Sequence, residues 1–123
     1  MSDRTLRGCR ILVVEDEYML ADELKVELEQ AGAIVLGPVS SAGAAIEIIE
    51  GAVQLDGAIL DINLGDEMVC AVADRLLEET VPFLFATGYD AAVVPDRYAS
   101  VVRCEKPLNL RRVVEVLGRE IEQ

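Results

Sequence analysis

The chain has 123 residues and a hydrophobic content of 52%, which suit a single domain with a core of ordinary size. Its formal net charge of −12 repels nucleic acid and anionic lipid, so direct contact with DNA or with a membrane surface is not expected. It has no histidine and its cysteines lack CxxC spacing, which excludes a zinc site.

The first half of the chain alternates between short apolar runs and helical patterns. A continuous run rich in β-branched residues is typical of a buried parallel strand. Apolar residues spaced three and four apart are typical of an amphipathic helix. In chain order, these patterns predict a strand over 10–15, a helix over 17–31 that stops at Gly32, a strand over 33–37 that ends at Gly37-Pro38, a helix to about Glu50 capped by Ser40 or Ser41, and a strand over 57–61.

The second half continues the same alternation. The clearest helical spacing follows a predicted turn of Asn63, Gly65 and Asp66, and it consists of Val69, Val72, Ala73, Leu76 and Leu77. Strands are predicted over 82–86 and 101–104, and a last helix contains Leu110, Val113, Val114, Leu117 and Ile121. Between these two strands, 90–99 predicts a short or split helix with Pro95 in its first turn, because proline breaks a helix interior.

Five strands alternating with five helices predict an α/β fold, with a doubly wound parallel sheet, helices on both faces and right-handed crossovers. We expect one domain over residues 1–123, because no linker, repeat or low-complexity segment interrupts the alternation. The three cysteines (Cys9, Cys70 and Cys104) lie in or beside apolar runs and are expected to be small buried hydrophobes. Their odd number, with no secretory signal and no apolar span of ~18 residues, predicts a reducing cytoplasm.

Polar residues follow the apolar runs at one end of the predicted sheet. Glu15 and Asp16 follow the first strand, Asp61 ends the third, Thr87 follows the fourth and Lys106 follows the fifth. Ligands of open α/β sheets bind outside the carboxyl ends of the strands, so these side chains are expected to meet.

Three carboxylates in one place suit a hard divalent cation such as Mg²⁺. At ~4 Å one pair repels by on the order of 4 kcal/mol at an effective dielectric of 20, which a cation or the Lys106 ammonium would relieve. A carboxylate beside a cation can act as a nucleophile on phosphorus. Asp61 is therefore the predicted phosphoryl acceptor, with Thr87 and Lys106 predicted to hold the transferred oxygens.

Four motifs resemble the receiver domain of two-component response regulators. They are Val13-Val14-Glu15-Asp16-Glu17, Leu60-Asp61-Ile62-Asn63-Leu64, Ala86-Thr87-Gly88 and Glu105-Lys106-Pro107. The motifs stand in the family's order, and the match covers nearly the whole chain. The resemblance implies a flavodoxin-like (βα)5 fold with strand order 2-1-3-4-5.

The resemblance also implies a role for each residue. Asp61 matches the phosphoacceptor, Thr87 the switch hydroxyl and Lys106 the phosphate-binding lysine. The implied ligands of Mg²⁺ are Glu15, Asp16, Asp61 and the Asn63 carbonyl.

One feature of the family is absent from this sequence. Receivers usually carry Tyr or Phe three residues before the lysine, and this chain has Arg103 there. The segment Phe85-Ala86-Thr87-Gly88-Tyr89 is similar to that of the FATGUY-type single-domain receivers, which also lack the aromatic. Tyr89 is the nearest candidate for a substitute; alternatively, it covers apolar surface in its loop.

The leading hypothesis is a stand-alone receiver that a histidine kinase or histidine phosphotransfer protein phosphorylates and that signals to a downstream protein. It would not be an enzyme beyond Mg²⁺-dependent self-phosphorylation and slow autodephosphorylation. Three alternatives remain: a receiver module of a larger regulator or hybrid kinase, a receiver-like module that never accepts phosphate, and an aspartate-nucleophile phosphohydrolase. Haloacid-dehalogenase-like enzymes of the last kind need a second aspartate where this chain has Asn63, and they carry a cap domain.

Overall fold

The structure is a computed structural model, which describes residues 6–51, 54–62, 68–88 and 94–122. Strands and helices alternate along the chain as the periodicity predicts. In order they are β1 (Arg10–Val14), α1 (Tyr18–Gln30), β2 (Ile34–Val39), α2 (Ala42–Glu50), β3 (Gly57–Asp61), α3 (Met68–Glu78), β4 (Phe83–Thr87), a 3₁₀ helix (Asp96–Tyr98), β5 (Val102–Glu105) and α4 (Leu110–Glu122).

The five strands form one sheet in the order β2-β1-β3-β4-β5, and each neighbouring pair is parallel. This confirms the predicted doubly wound sheet and its strand order. All residues of β3 and β4 are buried, and so are the residues of β1 after Arg10. Their continuous apolar character follows from this position, because helices cover both faces of a parallel sheet.

Two hydrophobic cores lie on opposite faces of the sheet. Successive side chains of a strand point to opposite faces, so neighbouring residues of β1 and β3 enter different cores. Leu12 and Leu60 belong to a core shared with α2 and α3, whereas Val13 and Ile59 belong to a core shared with α1 and α4. The central strands are thus held from both sides, and this fixes where their carboxyl ends stand.

The helix count differs from the prediction of five. The described residues contain four α-helices and, after β4, the three-residue 3₁₀ helix. Residues 89–93 of the predicted split helix lie outside the described residues. Pro95 was placed wrongly in a first helical turn: it is the cap residue, with an extended ψ of 144°, and its carbonyl accepts a hydrogen bond from the Tyr98 N–H at 2.9 Å.

The second strand also extends further than predicted, because it continues through Gly37-Pro38 to Val39. A proline is tolerated there since β2 is an edge strand. Gly37 has a φ of +97°, and the pairing with β1 shifts its register between Leu12 and Val14. The predicted cap of the next helix is confirmed for Ser41, whose Oγ accepts a hydrogen bond from the Ala44 N–H at 3.2 Å.

Two burial predictions were too strong. The three cysteines are half-buried at the margins of the cores, and burial raises the pKa of Cys9 and of Cys104. Leu77 is 41% exposed, because eight residues of helix turn it about 80° away from the direction of Val69. Among the helices that the structure describes, none is long and apolar enough to cross a bilayer.

Candidate functional site

The parallel strands bring the predicted site residues to one edge of the sheet. Asp61 is the last residue of β3 and pairs with Ala86, the residue before Thr87. Thr87 ends β4, and its carbonyl accepts a hydrogen bond from the Lys106 N–H at 2.7 Å. On the other side of β3, Glu15 directly follows β1 and its N–H donates to the Val39 carbonyl at 2.9 Å. Backbone contacts with a neighbouring strand therefore place four of the site residues: Glu15, Asp61, Thr87 and Lys106.

Three carboxylates converge at this edge. One carboxylate oxygen each from Glu15, Asp16 and Asp61 lies within 4.8 Å of the others. Glu15 and Asp61 are only 2% and 1% exposed, whereas Asp16 is exposed. Two like charges, those of Glu15 and Asp61, are thus held together where water is largely excluded, and the third borders solvent.

This crowding changes the protonation of the cluster. The pKa of Glu15 is raised to about 7, chiefly by burial and then by the neighbouring Asp61 carboxyl, whereas the Glu17 N–H and Lys106 act to lower it. The pKa of Asp16 is raised by the partial loss of solvent around its carboxyl, although the residue is exposed as a whole, and by the same Asp61 carboxyl. A cation favours the charged forms of carboxylates, so this cluster is suited to binding one.

Lys106 supplies positive charge to the cluster. Its Nζ lies 3.2 Å from Glu15 Oε2, 3.3 Å from Asp61 Oδ2 and 3.2 Å from Glu17 Oε2. Burial alone lowers the pKa of Lys106, but the charges of Asp61 and Glu15 outweigh it and the pKa is raised. Lys106 is accordingly an ammonium ion at neutral pH.

The sequence reasoning assigned no role to Glu17, although it is part of the first matching motif. Its position directly after the acidic pair and before α1 was the available signal. Only the tertiary structure shows that its side chain reaches Lys106, which is 89 residues away.

The remaining predicted residues fall into three groups. Thr87 is buried at the end of β4, beside the strand that carries Asp61. Asn63 and Tyr89, proposed as a metal ligand and as a substitute for the switch aromatic, lie outside the described residues. Arg103 is exposed on β5, in register with Phe85, so its side chain does not occupy the core.

The donor set fits a hard divalent cation. In addition to the three clustered carboxylates, Glu15 Oε1 is buried and has no hydrogen-bond partner among the residues that the structure describes. Buried oxygens normally have a partner, and carboxylate oxygens are the protein ligands that Mg²⁺ prefers. Glu15, Asp16 and Asp61 are therefore the described residues with the right chemistry to hold Mg²⁺. An open cleft of about 470 Å³ adjoins this cluster, between α1 and the end of β2.

The fold has clear counterparts among solved structures, although no protein-family model and no curated protein matches the chain. SdrG from Sphingomonas melonis Fr1 is 31% identical, with both chains covered in full and a TM-score of 0.80. The BeF3-activated conformation of SdrG from Pseudomonas melonis Fr1 is 34% identical over 94% of this chain and 95% of that one, with a TM-score of 0.72. A response regulator receiver protein from Sinorhizobium medicae WSM419 is 25% identical over 95% and 97% of the two chains, with a TM-score of 0.75.

This chain belongs to the response regulator receiver family. It therefore has the role of a receiver domain in signalling. In this receiver, the cluster of Glu15, Asp16, Asp61 and Lys106 stands at the strand ends, where the sequence motifs predicted it.

Proposed function

We propose that this receiver accepts a phosphoryl group on Asp61 in a Mg²⁺-dependent reaction, and that the modification switches a surface for a downstream protein. The observation that carries the proposal is the setting of Asp61. Its carboxylate is buried, clusters with those of Glu15 and Asp16, and has one oxygen 3.3 Å from the ammonium of Lys106. A nucleophile, a set of oxygen ligands and a fixed cation are thus present together.

The chemistry is a transfer of a phosphoryl group to the protein itself. An oxygen of Asp61 forms a bond to phosphorus, while the bond from phosphorus to the donor breaks and the donor keeps its electron pair. Lys106 is placed to neutralise charge on the phosphoryl oxygens, which is the main task of a protein in this reaction. When bound by Glu15, Asp16 and Asp61, Mg²⁺ would supply further positive charge at the same oxygens, with the Asn63 carbonyl as a proposed additional ligand.

The switch would then run through Thr87. Its buried position on the strand beside Asp61 suits a hydroxyl that interacts with a phosphoryl oxygen. Residue 103 on β5 is an exposed arginine, so no aromatic ring at that position takes part.

We further infer the donor, the location and the class of the protein from its family. The donor would be the phosphohistidine of a histidine kinase or phosphotransfer protein, and the protein would act in the cytoplasm without binding membrane or nucleic acid. It would be a signalling domain rather than an enzyme acting on other molecules. Family membership favours this reading over the phosphohydrolase. The BeF3-activated conformation of the relative SdrG supports it too, because beryllium fluoride imitates a phosphoryl group on a carboxylate.

Intact-mass measurement after incubation with acetyl phosphate and Mg²⁺ tests the proposal. The wild type should gain the mass of one phosphoryl group, and the gain should disappear with EDTA. Asp61→Asn should gain none, whereas Glu23→Gln, which also replaces a carboxylate by an amide but at an exposed residue of α1, should behave as the wild type. Phosphorylation of Asp61→Asn at the wild-type rate would show that another residue is the acceptor.

A further inference from the structure

We propose that Glu17 is a positioning residue that competes with the phosphoryl group for Lys106 and thereby weakens the phosphorylated state. The inference rests on the proposed phosphorylation of Asp61. Glu17 is distinct from the proposed nucleophile, the proposed metal ligands and the proposed phosphate-binding lysine.

The donors of Lys106 are all engaged by carboxylates in this structure. An ammonium group has three N–H donors. The Nζ lies within hydrogen-bond distance of Glu15 at 3.2 Å, Glu17 at 3.2 Å and Asp61 at 3.3 Å. A phosphoryl oxygen on Asp61 can therefore gain a hydrogen bond from Lys106 only if one of these contacts is given up.

The contact with Glu17 is the one that costs least to break. The Glu17 side chain is 62% exposed, whereas those of Glu15 and Asp61 are 1% exposed. Water can solvate the Glu17 carboxylate after release, so an exposed ion pair contributes little. A buried carboxylate that loses its cation keeps an uncompensated charge. The phosphoryl group should therefore displace Glu17 first, because the release of this exposed carboxylate from Lys106 costs least.

The backbone holds Glu17 in this position. Its N–H donates to Glu15 Oε2 at 3.1 Å, and its carbonyl accepts from the Ala21 N–H at 2.9 Å in the first turn of α1. The side chain therefore starts from a fixed point beside the cluster. A substitution of the side chain leaves both backbone contacts intact, so it should alter the competition without disturbing the fold.

Affinity for beryllium fluoride measures the competition directly. We would titrate the full chain with beryllium fluoride at saturating Mg²⁺ and follow the bound ligand by ¹⁹F NMR. Glu17→Gln should lower the dissociation constant about two- to fivefold, the range expected for one exposed ion pair. The difference from the wild type should shrink in ~1 M salt, where the screening length falls to about 3 Å. Glu23→Gln is the matched control, because it makes the same change at an exposed residue of α1 and Glu23 is not among the three contacts of Lys106.

The outcomes separate this inference from the proposed function. If the wild type binds no beryllium fluoride, the proposed function fails and the inference fails with it. If the wild type binds and Glu17→Gln binds equally or more weakly, the inference alone is overturned. Equal tightening in Glu23→Gln and Glu17→Gln would also overturn it, because the effect would then be one of net charge. Tightening that is confined to Glu17→Gln and lost at high salt supports it.

Discussion

The phenolic oxygen of Tyr98 lies 2.6 Å from Asp74 Oδ1, which ties the segment after β4 to α3. The same oxygen is 3.0 Å from the Cys70 carbonyl, and the ring is fully buried with its centroid 5.6 Å from that of Phe85. The guanidinium of Arg97 forms two hydrogen bonds with Asp74, at 3.0 and 3.2 Å, and lies 4.7 Å above the Tyr98 ring. A 3₁₀ helix of three residues is thereby anchored although its local sequence favours no regular helix.

Removal of the Tyr98 hydroxyl should destabilise the protein. Tyr98→Phe keeps the ring in the core but leaves Asp74 and the Cys70 carbonyl without this partner, so we expect the free energy of unfolding to fall by about 1–3 kcal/mol. Urea denaturation measures the change. Tyr18→Phe is the matched control, since Tyr18 is 85% exposed and the same substitution there should stay within about 0.5 kcal/mol. Equal effects at the two positions would contradict the anchoring role.

The Asp74 carboxylate should make stability depend on acid pH. Hydrogen bonds from Arg97 and then from Tyr98 lower the pKa of Asp74 below its usual value. A carboxyl whose pKa is lower in the folded state stabilises the protein fully above its unfolded pKa of about 3.9, and this contribution is lost as the pH falls through the folded pKa. The gap in unfolding free energy between wild type and Asp74→Asn should therefore be largest above about pH 4 and narrow below it.

The pH dependence has its own control in Arg97→Gln. Arg97 is the main cause of the lowered pKa of Asp74. When Arg97→Gln is added to both proteins, the gap in unfolding free energy between Asp74 and Asp74→Asn should therefore narrow less as the pH falls. Urea denaturation at a series of pH values gives all four curves. An unchanged narrowing in the Arg97→Gln background would show that Arg97 does not hold the carboxylate in its charged form.

Magnesium should stabilise the fold through the carboxylate cluster. A ligand that binds only the native state adds about 2.7 kcal/mol at a hundredfold excess over its dissociation constant. We expect millimolar Mg²⁺ to raise the melting temperature of the wild type and Asp16→Ala to remove most of the rise. Asp16 is exposed, so this substitution should alter the fold itself little. A wild-type melting temperature that does not respond to Mg²⁺ would count against the metal site.

The segment after β4 should respond to phosphorylation. The hydroxyl of Thr87 is expected to interact with the phosphoryl group, and the stretch 90–99, which contains Pro95, carries the weakest helical signal of the chain. We therefore expect residues 87–104 to respond. Hydrogen exchange with and without beryllium fluoride should show changed protection in this segment, and Thr87→Ala should abolish the change. If protection changes only in α1 and α2, the surface that responds to phosphorylation lies elsewhere and this prediction is wrong.

Local patterns accounted for most of the secondary structure but failed at particular residues. The buried runs of β1, β3 and β4 were predictable because strands covered on both faces must be apolar throughout. Pro38 marked an end to β2 by its sequence alone, yet an edge strand tolerates proline, and edge position is a property of the whole sheet. Pro95 could not be placed either, because the anchor of its segment is Tyr98 on Asp74 and that contact depends on how α3 packs.

The amino-acid sequence was enough to predict the parallel sheet, the place of Asp61, Thr87 and Lys106 at strand ends, and the resemblance to receivers. These features follow from periodicity and from short motifs, which are local. The ion pairs of the Lys106 ammonium with Glu15, Glu17 and Asp61 could be seen only in the folded protein, as could the burial of Glu15 and Asp61 and the exposure of Glu17. The reason is physical: burial and side-chain contacts between residues 45 to 91 positions apart depend on how the strands and helices pack, which no local pattern contains.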